Sequence, residues 1–249
     1  RSAPPGAALP PRPLTAAPVP NPHHGACDCA VQVFAKAPIA GAVKTRLIPV
    51  LGARGAARLQ ARLTRFTLER VVAATSGPIE LWCAPDAHHP FFARCRREYP
   101  LTLHTQPNGD LGTRMHHALA CALSAGAERV LLVGTDCPAR GPGDLYAACA
   151  ALRAGAPMVL GPVDDGGYTL IGVRQGIPEV FAGIPWGTDE VLVCTRRRLA
   201  ERGLRAVELP LTWDVDRAAD LERLAAQPQL RGLLEGLGSR APHSDTPCE

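Results

Sequence analysis

The stretch Val130–Pro138, VLLVGTDCP, decides how the chain is read. Four apolar residues in succession, Val130 to Val133, are what a strand buried on both faces requires, as in a parallel sheet with helices on each side. The run ends in Gly-Thr-Asp-Cys-Pro, so a carboxylate, Asp136, sits where the chain leaves the sheet. In open α/β sheets ligands bind beyond the carboxyl ends of the strands, which makes Asp136 a candidate ligand-binding group. The plain alternative is an aspartate that only caps the following turn or helix.

Towards the N-terminus, Ala30–Ala35 (AVQVFA) alternates and is β-branched, which predicts a first strand. It runs into KAPIAGAVKTRL, Lys36–Leu47, a loop with Gly41 and three cations, Lys36, Lys44 and Arg46. Glycine permits positive φ and close approach of backbone N–H groups to a ligand, and the cations suit phosphate or diphosphate. A Walker A loop is excluded, because Val43 rather than Gly precedes Lys44. The competing reading is three solvated cations on a flexible loop. An amphipathic helix follows over about 53–74, with Leu59, Leu63, Phe66 and Val71 on its apolar side.

Further strands are expected at 79–83 and 101–105, with a helix between them. His88-His89 reads as a surface pair, and His116-His117 as helix surface or packing. In GDLGTRM, Asp110 is the N-cap candidate for a helix from about Leu111, and Arg114 lies one turn into that helix. In a doubly wound sheet Arg114 would face the same strand ends as the Lys36 loop.

After VLLVGTDCP come a helix over about 143–154, a strand over 157–160, and GPVDDGGYTLIGV, Gly161–Val173. Its acidic turn can aim Asp164 or Asp165 at the crevice of Asp136, or can be a plain hairpin turn, since Asp-Gly is a common hairpin signal. In IPWGTDEVL, Thr188 is the expected N-cap of a helix reaching about Arg202, and Trp186 is either core or pocket wall. A last short strand is expected at 207–209. In LTWDVDRAADLERL, Asp216 reads as the N-cap of a final helix. Asp214 and Asp216 also alternate in an extended stretch, so one of them can reach the crevice.

Composition bounds these readings. An apolar fraction of 46% with 20% charged residues is that of a globular protein with a substantial core, and 4% aromatics makes that core mostly Ala, Leu and Val. A net charge of +4 favours small anionic ligands and is too weak and dispersed to argue for nucleic acid. No apolar run approaches the roughly 18 residues that span a bilayer. No signal-peptide core is read in the residues given. The nine cysteines are scattered and odd in number. Only Cys27 and Cys29 lie close, and they read as reduced, buried thiols of a cytoplasmic protein rather than as metal ligands. Eight prolines within the first 22 residues predict a disordered leader over residues 1–28. A single nucleotide-binding domain is expected over 29–234, and a flexible tail over 235–249.

KAPIAGAVKTRLIPVLG, GDLGTRM, VGTDCP, GPVDDGGYTLIGV, IPWGT and WDVDRAADL occur in this order over about 31–224. Together they resemble a bacterial family of GT-A-type glycosyltransferases, the DUF2064 kind, some members of which are labelled arsenosugar-biosynthesis glycosyltransferases. The resemblance implies an α/β fold of the Rossmann-like nucleotide-diphosphosugar transferase type, a mixed, mainly parallel sheet flanked by helices, with a divalent cation. It also extends distantly to the nucleotidyltransferases that activate molybdopterin or phospholactate.

Carried onto this chain, the resemblance implies nucleotide and phosphate binding by Lys36, Gly41, Lys44 and Arg46, to which Arg114 is added from its place on the helix. Asp136 stands where GT-A enzymes carry a DxD-like metal motif, Asp165 matches the acidic residue of the DGGY turn, and Asp214 or Asp216 the late acidic motif. Asp136, Asp214 and Asp216 are therefore the expected ligands of Mg²⁺ or Mn²⁺, and Asp165 the expected catalytic base. The chain departs from the family at Thr113 and Phe66, where acids are expected. Transfer from a nucleoside di- or triphosphate needs its leaving phosphates neutralised, which a carboxylate-held cation and a basic loop can do. The expected substrates are a nucleotide-sugar, or alternatively a nucleoside triphosphate, and a small-molecule acceptor. A degenerate nucleotide-binding protein is the third possibility, and Thr113 is the residue that keeps it open.

Overall fold

The computed structural model describes residues 27–237; the remainder of the expected leader and tail lies outside the described residues. Seven strands form one sheet: β1 (Ala30–Lys36), β2 (Ile79–Ala84), β3 (Thr102–Thr105), β4 (Val130–Gly134), β5 (Met158–Pro162), β6 (Tyr168–Val173) and β7 (Val207–Glu208). Their order is β3-β2-β1-β4-β6-β5-β7. β6 alone runs against its neighbours β4 and β5; the other pairings are parallel. The expected mixed, mainly parallel sheet is what forms.

β4 shows why. All four residues from Val130 to Val133 are buried. Leu131 and Val133 enter one apolar layer with Leu68 and Val71 of α1 (Ile48–Ala74), Phe92 of α2 (Pro90–Glu98) and Leu145 and Leu152 of α4 (Pro142–Arg153). Val130 and Leu132 enter the opposite layer with Met115 and Leu119 of α3 (Leu111–Ser124) and Leu199 of α5 (Val191–Glu201). Alternate side chains of a strand point to opposite faces, so an unbroken apolar run is the sequence form of a sheet covered on both sides. Each such side chain contributes roughly 1.5–3 kcal/mol through removal from water.

Several local expectations are corrected. α1 runs from Ile48, but Gly52, at φ 67° and ψ 162°, breaks its first turn, so the regular helix starts where the apolar periodicity does. Thr188 is not the N-cap of α5; that place is Glu190, whose N–H donates to Thr188 Oγ1. Asp216 does not cap α6 (Ala218–Ala226). Asp220, in the first turn, reaches back instead and accepts from the N–H groups of Asp216 and Arg217. This leaves the Asp216 carboxylate available elsewhere. Asp110 does cap α3, accepting from Thr113 N at 2.7 Å. His89 caps α2 through Nδ1, and His116 and His117 pack beside Phe181 and Trp82. At the ends of the described chain, Cys27 and Leu237 are both buried, so the fold takes in residues beyond the expected limits at each end.

Candidate active site

Strand succession reverses at β1: β2 and β3 follow on one side, whereas β4 is laid on the other. That switch point opens a crevice at the carboxyl ends of β1 and β4. β1 and β4 pair in unbroken register from Ala30↔Val130 to Phe34↔Gly134. Lys36 and Asp136 therefore leave the sheet at the same level.

The loop after Lys36 is a turn closed by Ala42 N donating to Ile39 O, with Gly41 at φ 85°. No atom lies near the position a Gly41 Cβ would take, so this glycine is required by its backbone conformation and not by crowding. Lys44 adopts the left-handed conformation at φ 48°, uncommon for a residue with a Cβ. The consequence is functional. Its side chain, only 4% exposed, turns inward, and Nζ lies 2.8 Å from Asp136 Oδ1 and 2.5 Å from Val215 O. Arg46, two residues on, is paired with Asp216.

The acidic side is assembled by backbone. Val215 N donates to Asp136 O at 2.8 Å, and Cys137 Sγ donates to Trp213 O at 3.0 Å. The segment carrying Asp214 and Asp216 is thus fastened alongside the chain leaving β4. The β5–β6 turn is fastened to the same segment, because Asp164 N donates to Thr212 O. The alternatives at this turn now separate. Asp164 is paired with Arg223 at 2.7 Å, whereas Asp165 accepts from Gly167 N through Oδ1 and faces the crevice charges. The turn is both a hairpin and an acidic arm. Gly166, at φ 87°, is obligatory in it: a Cβ there would meet Asp189 O at 2.1 Å.

Asp214 carries the electrostatic signature of the site. Its carboxyl is pushed up to about 7, first by burial and then by Asp165 and Asp136, with Lys44 opposing. Four carboxyl groups gather near Lys36, Lys44 and Arg46, and burial together with like charge makes Asp214 costly to ionise there. An oxygen-only donor set of this kind fits Mg²⁺ or Mn²⁺. The carboxylate oxygens are not drawn together to coordination distance. Lys44 Nζ instead stands beside Asp136 Oδ1.

Lys36, Lys44, Thr45, Arg46, Asp136 and Asp216 line one polar cleft together with Ala42 and Gln60. Arg114 is not among these residues; it donates to Gln106 Oε1 at 3.1 Å and to Asp110 O at 3.3 Å. Sequence reasoning missed the groups that hold the cleft in shape. Gln60, 3% exposed, donates to Thr135 Oγ1 at 3.2 Å, and Arg70 donates to the carbonyls of Pro138 and Arg140. Arg140, largely buried, donates to Thr169 Oγ1 and Pro162 O and joins the ends of β4, β5 and β6. A polar residue on the apolar face of a helix, as Gln60 is beside Leu59 and Leu63, was the available signal. At the two departures, Phe66 lies under the Arg70 guanidinium at 4.0 Å and Thr113 contributes its N–H to the Asp110 cap. Trp186 is packing: it stands edge-on to Tyr168 and so close to Gly112 that a Cβ there would meet its ring at 2.6 Å.

A crystal structure of a candidate nucleotide-diphospho-sugar transferase from Desulfovibrio desulfuricans G20 is 30% identical to this chain. The match covers 82% of this chain and 93% of that one, with a TM-score of 0.71. A family model, DUF2064, described as an uncharacterized protein conserved in bacteria, matches residues 67–188. The chain belongs to the DUF2064 family. The matched part of the DUF2064 model runs from the middle of α1 through the β4 turn and the acidic arm to Thr188. Two more distant structures share the fold. One is 4-diphosphocytidyl-2C-methyl-D-erythritol synthase from Anaerococcus prevotii, at 13% identity, 78% and 92% coverage and a TM-score of 0.50. The other is a cytidylyltransferase from Leptospira borgpetersenii, at 10% identity, 80% and 87% coverage and a TM-score of 0.50. No curated protein sequence matches this DUF2064 chain.

Proposed function

We propose that the protein is a metal-dependent glycosyltransferase that takes a nucleotide-sugar donor and a small-molecule acceptor. The observation that carries this reading is the meeting of Lys44 with Asp136 at the switch point, with Asp165, Asp214 and Asp216 around them. The likeness to the D. desulfuricans protein, described as a candidate nucleotide-diphospho-sugar transferase, supports it.

In this reading Lys36, Lys44 and Arg46, with backbone N–H groups near Gly41, bind the donor phosphates. Arg114, engaged by Gln106 and Asp110, contributes little to that binding. Asp136, Asp214 and Asp216 would hold Mg²⁺ or Mn²⁺, which would neutralise charge on the leaving diphosphate. Lys44 turns its ammonium from Asp136 to the phosphates. Asp165 keeps one oxygen engaged by Gly167 N–H and has the other free to accept the proton of the acceptor hydroxyl as it attacks. Bond formation to the acceptor oxygen then accompanies departure of the nucleoside diphosphate.

Nucleotidyl transfer is the second reading. The same basic loop and carboxylates serve it, and the cytidylyltransferase-like fold favours it at the level of architecture. The products separate the two. Thermal-shift screening of UDP-, GDP- and dTDP-sugars against the four nucleoside triphosphates, with and without Mn²⁺, is expected to give a Mn²⁺-dependent rise with a nucleotide-sugar. Turnover of that donor releases nucleoside diphosphate. Consumption of a triphosphate with release of pyrophosphate, and no response to any nucleotide-sugar, overturns the first reading in favour of the second. A nucleotide-dependent shift without turnover of any nucleotide-sugar or triphosphate makes the protein a catalytically degenerate nucleotide-binding member.

A further inference from the structure

The end of the sheet opposite the cleft holds a cluster that the proposed transfer reaction does not use. Cys27 and Cys29, at the entry to β1, converge with Cys149 of α4, and their three sulfur atoms all lie within 4.8 Å of one another. All three residues are at most 2% exposed, and none is in a disulfide. Among the described residues, no other set of three potential ligand atoms comes this close together.

The arrangement is built rather than incidental. Cys27 N donates to Ala74 O, Ser76 N donates to Cys27 O, and Thr75 Oγ1 donates to the carbonyls of both Cys27 and Cys29. Gly77 passes so close that a Cβ there would meet Cys29 O at 2.2 Å. The Cys-Asp-Cys segment is therefore held in one conformation by the end of α1, while α4 presents Cys149 to it. Cys29 Sγ approaches Cys149 Sγ to 2.9 Å, and Asp28 Oδ1 stands 3.1 Å from Cys149 Sγ. Arg129 and Arg153 both pair with Asp28, so two cations border a cluster that would become anionic on losing its protons.

We propose that Cys27, Cys29 and Cys149 form a thiolate site for one Zn²⁺ ion, with the Asp28 carboxylate closing the coordination shell. At a Zn–S distance of about 2.3 Å the sulfur–sulfur edge of a tetrahedral site is about 3.8 Å. Each sulfur pair here is within about 1 Å of that edge. Binding replaces the thiol protons, which leave to solvent, and no electron transfer is involved. The ion clips the first strand to α4 across a sequence separation of 120 residues. Its occupancy is independent of the nucleotide cleft.

Co²⁺ titration of the reduced full chain tests the site, because sulfur-to-cobalt charge transfer is blind to carboxylate ligation. One equivalent is expected to produce that band together with tetrahedral d–d bands, both bleached by one equivalent of Zn²⁺. Cys149→Ser is expected to lose the charge-transfer band, Asp136→Ala to keep it, and Asp28→Asn to weaken affinity by about 10–100-fold. In the wild-type chain, at a denaturant concentration that just opens the cluster to reagent, Zn²⁺ is expected to protect Cys27, Cys29 and Cys149 from alkylation while the exposed Cys121 still reacts. This last readout needs no variant. Absence of the band with the wild-type chain, an equal band in Cys149→Ser, or alkylation unchanged by Zn²⁺ overturns the proposal. So does recovery of a Cys29–Cys149 disulfide that persists in reductant and excludes Zn²⁺.

Discussion

The two ends of the β-sheet gather opposite kinds of chemistry. At the carboxyl edge, Asp136 and Asp216 line a wet cleft with Lys36, Lys44 and Arg46, and Asp165 and Asp214 stand close enough to act on its charges. At the amino edge, Cys27, Cys29 and Cys149 are buried, and their sulfur atoms lie within 4.8 Å of one another. The difference follows from where each sits. Strand carboxyl ends at a switch point splay apart and admit solvent, which suits hard oxygen donors that exchange a cation along with a substrate. The strand start is covered by α1 and α4, and small polarizable thiols fill such space without the desolvation cost of charge. One sheet thus offers an exchangeable site at one end and a closed one at the other.

The sharpest way to break this contrast is at Asp136. Its side chain is 45% exposed and supports no core packing, so Asp136→Ala is expected to fold normally. Transfer should fall by roughly 10²–10³, the typical loss when one charge-stabilising contact is removed at a reacting phosphate. Steady-state turnover beside a thermal melt checks both halves. Lys44→Ala should weaken donor binding by roughly 10–100-fold, the worth of a charged hydrogen bond, as read by calorimetry. It also frees the buried face of the loop from Val215 O, so a fall in melting temperature is expected with it.

Asp214 sharpens the comparison through pH. Its folded value, about 7, lies above its unfolded one, so the folded chain holds this proton more tightly. The contribution is fully present below the ordinary carboxylate range and is lost as pH rises through about 7. Asp214→Asn should therefore stabilise the metal-free protein by about 1–2 kcal/mol at pH 8, after discounting for water at a partly open site, and leave it unchanged near pH 4. Melts at the two pH values check the sign. The smallest effect is expected at Arg114, whose partners are Gln106 and Asp110 rather than the cleft residues. Arg114→Ala should alter donor affinity by about 0.5 kcal/mol or less by calorimetry. A loss as large as that of Lys44→Ala would extend the phosphate site to α3.

Much of the fold was legible because β4 states it: an unbroken apolar run implies two covering layers, and both are found. The acidic turn also announced a hairpin, which is how β6 comes to run antiparallel between β4 and β5. The candidate site was legible only as a set of residue types. That Asp214 lies beside Asp136 depends on a backbone bond from Val215 to Asp136, which no periodicity encodes. That Lys44 turns inward depends on a left-handed residue in a loop that has glycine elsewhere. Local capping rules failed at Asp216 because the helix starts one residue later, with Arg217 at the N-cap and Asp220 reaching back to the N–H groups of Asp216 and Arg217. Cys149 carries no local sign at all of its convergence on Cys27 and Cys29; the helix face that buries it beside Ala148 and Leu152 decides that.

In the proposed reading, Asp136 couples a divalent cation to a nucleotide at the switch point. Calorimetric titration of the wild-type chain and of Asp136→Ala with the nucleoside diphosphate of the responding donor, with and without Mn²⁺, tests it most directly. Mn²⁺ is expected to tighten binding to the wild-type chain, and this gain is expected to disappear in the folded Asp136→Ala variant. An equal Mn²⁺-dependent gain in both proteins would contradict it.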